Sequence, residues 1–173
     1  SDFNSFSVGN SQATAFTATA STSASSGSHT VEVTSVARAQ RSNMVADGPA
    51  DFTSTTQTLN SGTAFDLTVA IGPDGNQTSH TVSVTTATPA GIVSALNAAD
   101  LGITARLTDV GTSGTSYKIQ LTGESGTDKA FSITPSVNSM LTTATPSGQT
   151  AANADITVDG LQFSRASNSI NDI

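Results

Sequence analysis

A short segment in the middle of the chain, in which apolar and polar side chains alternate, most constrains the fold. Every second position from 65 to 71 is apolar, at Phe65, Leu67, Val69 and Ile71. A period of two is typical of a β-strand with one buried face. Turn-forming residues follow at 72–76, and Val82 and Val84 restore the alternation. The pattern therefore predicts a β-hairpin.

One amphipathic helix is predicted after the hairpin, near residues 89–100. Thr88 is a suitable N-cap, and Pro89 suits the first helical position, where a backbone N–H would lack a partner within the helix. Apolar side chains recur at helical spacing, at Ile92, Leu96 and Ala99. Strands are predicted next at 103–108, 117–122 and 131–133. The result is a β-β-α-β-β-β unit in which the helix covers one sheet face.

The segments on either side carry weaker strand patterns. Residues 29–36 alternate around Val31 and Val33. Asp159-Gly160 stands between two apolar pairs, and this dipeptide is a strong signal for a two-residue hairpin turn in which both residues have positive φ. We therefore expect a second hairpin near the end of the chain.

Other stretches give less regular patterns. Two short strands are expected in the uncharged segment 3–20, and residues 37–45 show no clear period. A helical turn is expected near 137–141. Two stretches, Asp47-Gly48-Pro49 and the polar segment 142–152, have the composition of boundaries or linkers.

Composition excludes several classes of function. The 173 residues carry a net charge of −7, which opposes binding to nucleic acid because that binding depends on basic side chains. No apolar run is long enough to span a membrane, so we expect no membrane insertion. The absence of Cys excludes disulfides, Cys-based zinc sites and a thiol nucleophile.

The sequence offers no catalytic constellation, and we expect neither an enzyme nor a cofactor or metal site. His29 and His80 each precede a strand pattern, and partly exposed structural histidines explain them best. No Gly-x-Ser-x-Gly elbow or phosphate-binding loop is present. A glycosidase site is unexpected with one Tyr and no Trp to stack against sugar.

Three arginines are candidate interface residues, because Arg is enriched at protein interfaces. Arg38 and Arg41 lie before the first boundary, and Arg165 follows the second predicted hairpin. The competing interpretation for each is an ion pair within the chain.

Three segments, in this order, resemble the flagellar filament-capping family, also called hook-associated protein 2. Residues 28–41 are similar to its short strand and Ala/Gln-rich turn. Residues 89–107, continuing to 117–126, resemble the helix–strand–hairpin motif of flagellar axial proteins, with Leu96-Asn97 where Ile-Asn is usual. Residues 154–170 give the most specific of the three resemblances, to the family's signature of strand, Asn/Asp-Gly, strand and Arg-x-Ser-Asn.

The resemblance implies a mainly β (α+β) fold made of two small β-rich head domains, one inserted in the other. Residues 1–47 and 149–173 would form the discontinuous domain, and residues 48–148 the inserted β-β-α-β-β-β domain. The family's terminal helical legs have no counterpart in the sequence. We therefore expect a fragment whose discontinuous domain is incomplete and less stable than the inserted one.

The resemblance also implies a structural function outside the cell, at the tip of the flagellar filament. Subunits of the family form a homo-oligomeric ring that promotes flagellin folding and polymerisation and prevents flagellin loss. The implied partners are further copies of the chain, flagellin and the hook–filament junction proteins, and some members also bind host mucin.

Two alternatives stay open on the sequence alone. The middle segment is shared with flagellins and other axial proteins, whose outer domain is the first alternative. Roughly a third of the residues are Ser or Thr, and hydroxyl-rich strands are also compatible with a cell-surface adhesion module that binds glycan.

Overall fold

The computed structural model describes residues 7–46, 51–111, 116–137 and 145–172. Within these ranges the chain is mainly β, with one α-helix, α1 (Pro89–Ala98), and two short 3₁₀ segments at Asn60–Gly62 and Thr127–Lys129. The strands are β1 (Val31–Ser35), β2 (Ala39–Met44), β3 (Phe65–Ile71), β4 (Thr78–Val84), β5 (Thr104–Asp109), β6 (Tyr117–Ser125), β7 (Phe131–Pro135), β8 (Thr145–Gln149), β9 (Ala154–Val158) and β10 (Leu161–Arg165).

The strands form three antiparallel sheets. One has the order β1-β9-β10, the second has the order β5-β6-β2-β8, and the third has the order β4-β3-β7. We call the first the small sheet, and the other two sheets together with α1 the body. No helix in the described ranges has the length and apolarity needed to cross a lipid bilayer.

The central hairpin is confirmed in register and in turn chemistry. β3 pairs with β4 from Phe65 opposite Val84 to Ile71 opposite Thr78. Gly72 begins the connecting turn with a φ of 133°, and a Cβ on it would lie 2.5 Å from the carbonyl oxygen of Asn76. Only glycine fits such a position without strain.

The helix begins and packs as its sequence predicts. Oγ1 of Thr88 accepts a hydrogen bond from the N–H of Gly91 at 3.0 Å, and Pro89 occupies the first turn. Pro89, Ile92 and Leu96 are the buried residues of the helix, which contacts β4 and β5. The order β3-β4-α1-β5-β6-β7 confirms the predicted β-β-α-β-β-β unit.

The hydrophobic core lies in the body, where both sheets and the helix contribute to one cluster. Its buried members are Met44, Phe52, Leu59, Phe65, Leu67, Val69, Val82, Val84, Ala87, Ile92, Leu96, Ile103, Ala105, Ile119, Leu121, Phe131 and Ile133. Among the described residues of the small sheet, only Ala154 and Ile156 are buried apolar side chains, and neither belongs to this cluster. The two parts therefore differ in how much apolar surface they bury.

The sequence predicts neither β2 nor β8 as a strand. In β2 the inward positions are Gln40, Ser42 and Met44, which are buried although two of them are polar. Because two of the three inward side chains are polar, the sequence of β2 shows no alternation of apolar and polar residues. β8 lies in the segment whose composition predicts a linker. β6 also continues through Gly123 and Glu124 to Ser125, beyond the end of the predicted strand 117–122.

The two short strands expected in segment 3–20 are wrong for its described part. Residues 7–30 contain no strand, and residues 11–15 form a turn in which the N–H of Ala15 donates to the carbonyl of Gln12 at 2.8 Å. The helical turn expected near 137–141 falls outside the described residues, apart from Val137.

β2 precedes the first predicted domain boundary but hydrogen-bonds to β6 of the predicted insert, with Met44 opposite Ile119. The chain passes from the small sheet to the body at residues 36–38 and returns at residues 150–153. The nested division into residues 1–47 with 149–173 and residues 48–148 stays a prediction.

Candidate interface residues and the junction between the sheets

Arg165, one of the three candidate interface residues, forms an ion pair within the chain. Its Nε and Nη2 each lie 2.9 Å from Oδ2 of Asp172, and Nη1 donates to the carbonyl of Ser164 at 3.0 Å. The guanidinium also lies 5.6 Å from the centre of the Phe163 ring, within range of a cation–π interaction. The hydrogen bond from Arg165 lowers the pKa of the Asp172 carboxyl below its ordinary value.

Arg38 and Arg41 lie where the chain enters the body. Arg38 pairs through its backbone with Ala152, with N–H to carbonyl distances of 2.9 and 3.0 Å, and its side chain is exposed. Arg41 lies in β2 opposite Thr122 of β6 and Gln149 of β8, and it is also exposed. The role of all three arginines in contacts between subunits stays a prediction.

One face of the small sheet is apolar and partly exposed, a feature that the sequence did not single out. Alternate residues of the three strands place Val31, Val158 and Leu161 in one row and Val33, Ile156 and Phe163 in the next. Val33 is 39% exposed and Leu161 is 66% exposed. Scattered apolar residues are ordinary at a surface, whereas neighbouring rows form a continuous patch.

The turn of the second hairpin is tied to the residues before β1. Asp159 and Gly160 have φ values of 50° and 85°, which confirms the predicted turn with two positive φ angles. Oδ2 of Asp159 accepts from Nδ1 of His29 at 2.7 Å, and Oδ1 accepts from the N–H of Thr30 at 2.8 Å. These two hydrogen bonds hold the pKa of the Asp159 carboxyl below its ordinary value.

The small sheet and the body are joined by two extended connectors, residues 36–38 and 150–153. The only backbone pairing between the connectors in the described chain is the one between Arg38 and Ala152. An isolated two-stranded ribbon is at best marginally stable in water. Side-chain contacts beside this ribbon therefore help to hold the two parts together.

Two asparagine side chains make such contacts at the junction. Oδ1 of Asn168 accepts from the N–H of Ala37 at 2.7 Å, and its Nδ2 donates to the carbonyl of the same residue at 3.0 Å. Oδ1 of Asn153 accepts from the N–H of Thr127 at 2.9 Å, and its Nδ2 donates to Oγ of Ser164 at 3.1 Å. Asn153 thus connects the body to β10.

The sequence did not assign these amide contacts. Asn168 lies within the Arg-x-Ser-Asn signature of the resemblance, which was the available signal, but nothing in the sequence shows which backbone groups it meets. No group of three or more His, Cys, Asp or Glu side chains in the described ranges lies close enough together to hold a metal ion.

A scan against protein-family models finds no match, and a search of curated proteins finds no relative. Comparison with solved structures gives a different result. The D2–D3 domains of the flagellar cap protein FliD from Escherichia coli match 89% of this chain and 82% of their own, with a TM-score of 0.66 and 25% identity. The chain has the fold of the D2–D3 head domains of flagellar cap proteins.

Other cap structures agree with this fold. The FliD D2–D3 domains from Serratia marcescens align over 87% of this chain with a TM-score of 0.63 and 20% identity, which is a likeness of fold. The D1–D2–D3 structure of the Escherichia coli protein aligns over 86% of this chain, with a TM-score of 0.63 and 25% identity. This chain spans 45% of that structure. The resemblance identified in the sequence is confirmed at the level of the head fold.

Proposed function

We propose that this chain is the head of a structural cap protein at the tip of the bacterial flagellar filament. The observation that carries the proposal is the alignment with the Escherichia coli FliD D2–D3 domains along 89% of the chain. On this proposal the full-length protein forms a homo-oligomeric ring outside the cell. The ring promotes the folding and polymerisation of flagellin and contacts the hook–filament junction proteins.

The physical character of the head supports a structural role. The outward face of the sheet β4-β3-β7 carries mostly hydroxyl side chains, including Thr68, Thr81 and Thr134 opposite one another. These three threonines are exposed, and hydroxyl groups are able to hydrogen-bond to water, so this face suits an element exposed to the medium. We propose no catalytic activity for it.

The test is complementation of a strain that lacks its filament cap with the full-length protein containing this chain. We expect filaments to grow again, because the head fold is that of a cap protein. A strain with the vector alone is the negative control. Continued release of monomeric flagellin, with the full-length protein present at the cell surface, would contradict the proposed function.

The arginine candidates need a separate test. We propose that Arg38 and Arg41, whose side chains are exposed, contribute to contacts between subunits. Replacement of both by Gln in the full-length protein should lower the average molar mass of the oligomer, measured by light scattering at a fixed protein concentration. Arg106, in β5, provides a matched control outside the junction, and Arg106→Gln should leave the mass unchanged. An unchanged mass in the double variant would contradict the interface role.

A further inference from the structure

We propose that residues 166–172 form a strap that locks the small sheet onto the body and converts the two parts into one rigid unit. Asn168 is the main positioning residue of the strap, and the Arg165–Asp172 ion pair closes it. The inference concerns the mechanics of the head and does not depend on the proposed function.

The strap crosses the junction and contacts both sides of it. At its start, the carbonyl of Ala166 accepts from Oγ of Ser125, at the end of β6 in the body, at 2.7 Å. Two residues later, Asn168 contacts the connector at Ala37 through both the oxygen and the nitrogen of its side-chain amide. The strap therefore joins β10, the end of β6 and the connector between β1 and β2.

Gly126 allows the strap to come this close to the body. Its φ is 105°, and a Cβ on it would lie 2.6 Å from Cβ of Ala166. A side chain at this position would push the strap away from β6. The absence of a side chain is thus required by the packing of the strap as well as by the backbone conformation.

The two hydrogen bonds of the Asn168 side-chain amide resist motion of the connector. The carboxamide meets the N–H and the carbonyl of one residue, as a neighbouring β-strand would, so rotation of Ala37 breaks both bonds together. Ala37 is buried, with 6% of its surface exposed. Because Arg38 and Ala152 form the only backbone pairing between the connectors in the described ranges, this added pairing stiffens the ribbon where it would otherwise bend.

The ion pair closes the strap. Arg165 ends β10 and Asp172 lies seven residues later, so the pair forms a short loop whose two ends are held together. Asp172 has 61% of its side chain exposed, so dissolved salt screens the pair. We therefore expect closure of the strap to weaken at high ionic strength, while the buried core of the body is unaffected.

The chain contains no Cys, which allows a direct test by spin labelling. Thr81→Cys in β4 and Gln162→Cys in β10 place one label on the body and one on the small sheet, both at exposed positions. Pulsed electron–electron double resonance then gives the distribution of distances between the two spin labels. We expect one narrow distribution in the otherwise unchanged chain.

Asn168→Ala should broaden this distribution, because both bonds to Ala37 are lost. Arg165→Gln should broaden it less, and added salt should broaden the distribution of the unchanged chain but not that of Arg165→Gln. Asn171→Ala, which alters an exposed asparagine of the same strap, is the matched control and should leave it narrow. Circular dichroism verifies that each variant is folded.

Two results would overturn the proposal. One is a distribution in folded Asn168→Ala as narrow as in the unchanged chain. If Asn168→Ala does not fold, Arg165→Gln decides the matter, and a narrow distribution in that variant at every salt concentration is the second contrary result.

Discussion

The side chain of Asn97, in α1, pairs with both backbone groups of Ala105, in β5. Its Oδ1 accepts from the N–H of Ala105 at 2.8 Å, and its Nδ2 donates to the carbonyl at 2.9 Å. β5 is an edge strand of its sheet, and edge strands present unpaired backbone groups that can pair with another chain. Asn97 satisfies two of these groups and fixes the end of the helix to the sheet.

Replacement of Asn97 by Ala should therefore destabilise the body. We expect a loss of about 1–2 kcal/mol in the free energy of unfolding, because two partly buried hydrogen bonds are removed. Urea denaturation followed by circular dichroism measures the loss. Asn76→Ala, in the exposed turn between β3 and β4, is the control. Equal stability of the two variants would show that the Asn97 contact contributes nothing.

Gly91 should not tolerate a side chain. A Cβ at this position would lie 1.9 Å from the carbonyl oxygen of Thr86, so Gly91→Ala forces the start of α1 away from the preceding segment. We expect a loss of about 3 kcal/mol, at the upper end of the usual cost of overpacking. Ser94→Ala, at an exposed helical position, should be neutral or slightly stabilising. A thermal melt of Gly91→Ala that matches the unchanged chain would contradict this packing.

Gln40 should contribute more to stability than an average polar residue. It is 3% exposed, and its amide accepts from the N–H of Phe131 at 3.1 Å and donates to the carbonyl of Phe131 at 2.6 Å. Gln40→Ala removes the side-chain partner of both the N–H and the carbonyl of Phe131 in β7 at a buried position. This should lower the free energy of unfolding by about 3 kcal/mol. Gln162→Ala, on the exposed surface of β10, is the control in the same denaturation experiment. A cost no larger than that of the control would remove the special role of Gln40.

The link between Asp159 and the residues before β1 should weaken in acid. The hydrogen bond from His29, and then that from the Thr30 amide, lower the pKa of Asp159 below its ordinary value of 3.8. A carboxyl with a lowered pKa in the folded state stabilises that state above the unfolded pKa, and the contribution is lost as pH falls through the folded value. Carbon-13 titration of the Asp159 carboxyl should give a pKa below 3.8.

Two histidine variants test the cause of this shift. His29→Gln should bring the pKa of Asp159 back toward its ordinary value, because the first contribution to the shift is removed. His80→Gln, in β4 of the body, should leave the pKa of Asp159 where it is. The assignment fails if the two variants titrate alike at Asp159.

The small sheet should open more readily than the body. Its only buried apolar residues in the described chain are Ala154 and Ile156, whereas both sheets of the body contribute to the core cluster. Opening free energies follow such differences in buried apolar contacts. Hydrogen exchange should therefore be faster at the amides of β1 and β9 than at those of β3 and β6. Slower exchange in the small sheet would contradict the prediction.

The sequence alone determined the elements whose signals are local. The alternation at Phe65–Ile71, the Thr88-Pro89 start of the helix and the Asp159-Gly160 turn each depend on neighbouring residues, and the structure confirms all three. The resemblance to flagellar cap proteins can also be identified from three short segments, because it depends on the order of residues within each segment.

The placement of β2 and the role of the side-chain amides depend on contacts between segments that are distant in the sequence. Gln40 and Ser42 appear exposed by hydropathy, yet they are buried because β2 lies between β6 and β8 and Gln40 finds a partner in β7. Asn97, Asn153 and Asn168 bind backbone groups of other segments, and Asn168 lies 131 residues from its partner Ala37. A polar side chain in a sequence shows what it can bind, but the partner exists only after the fold has brought distant backbone groups beside it.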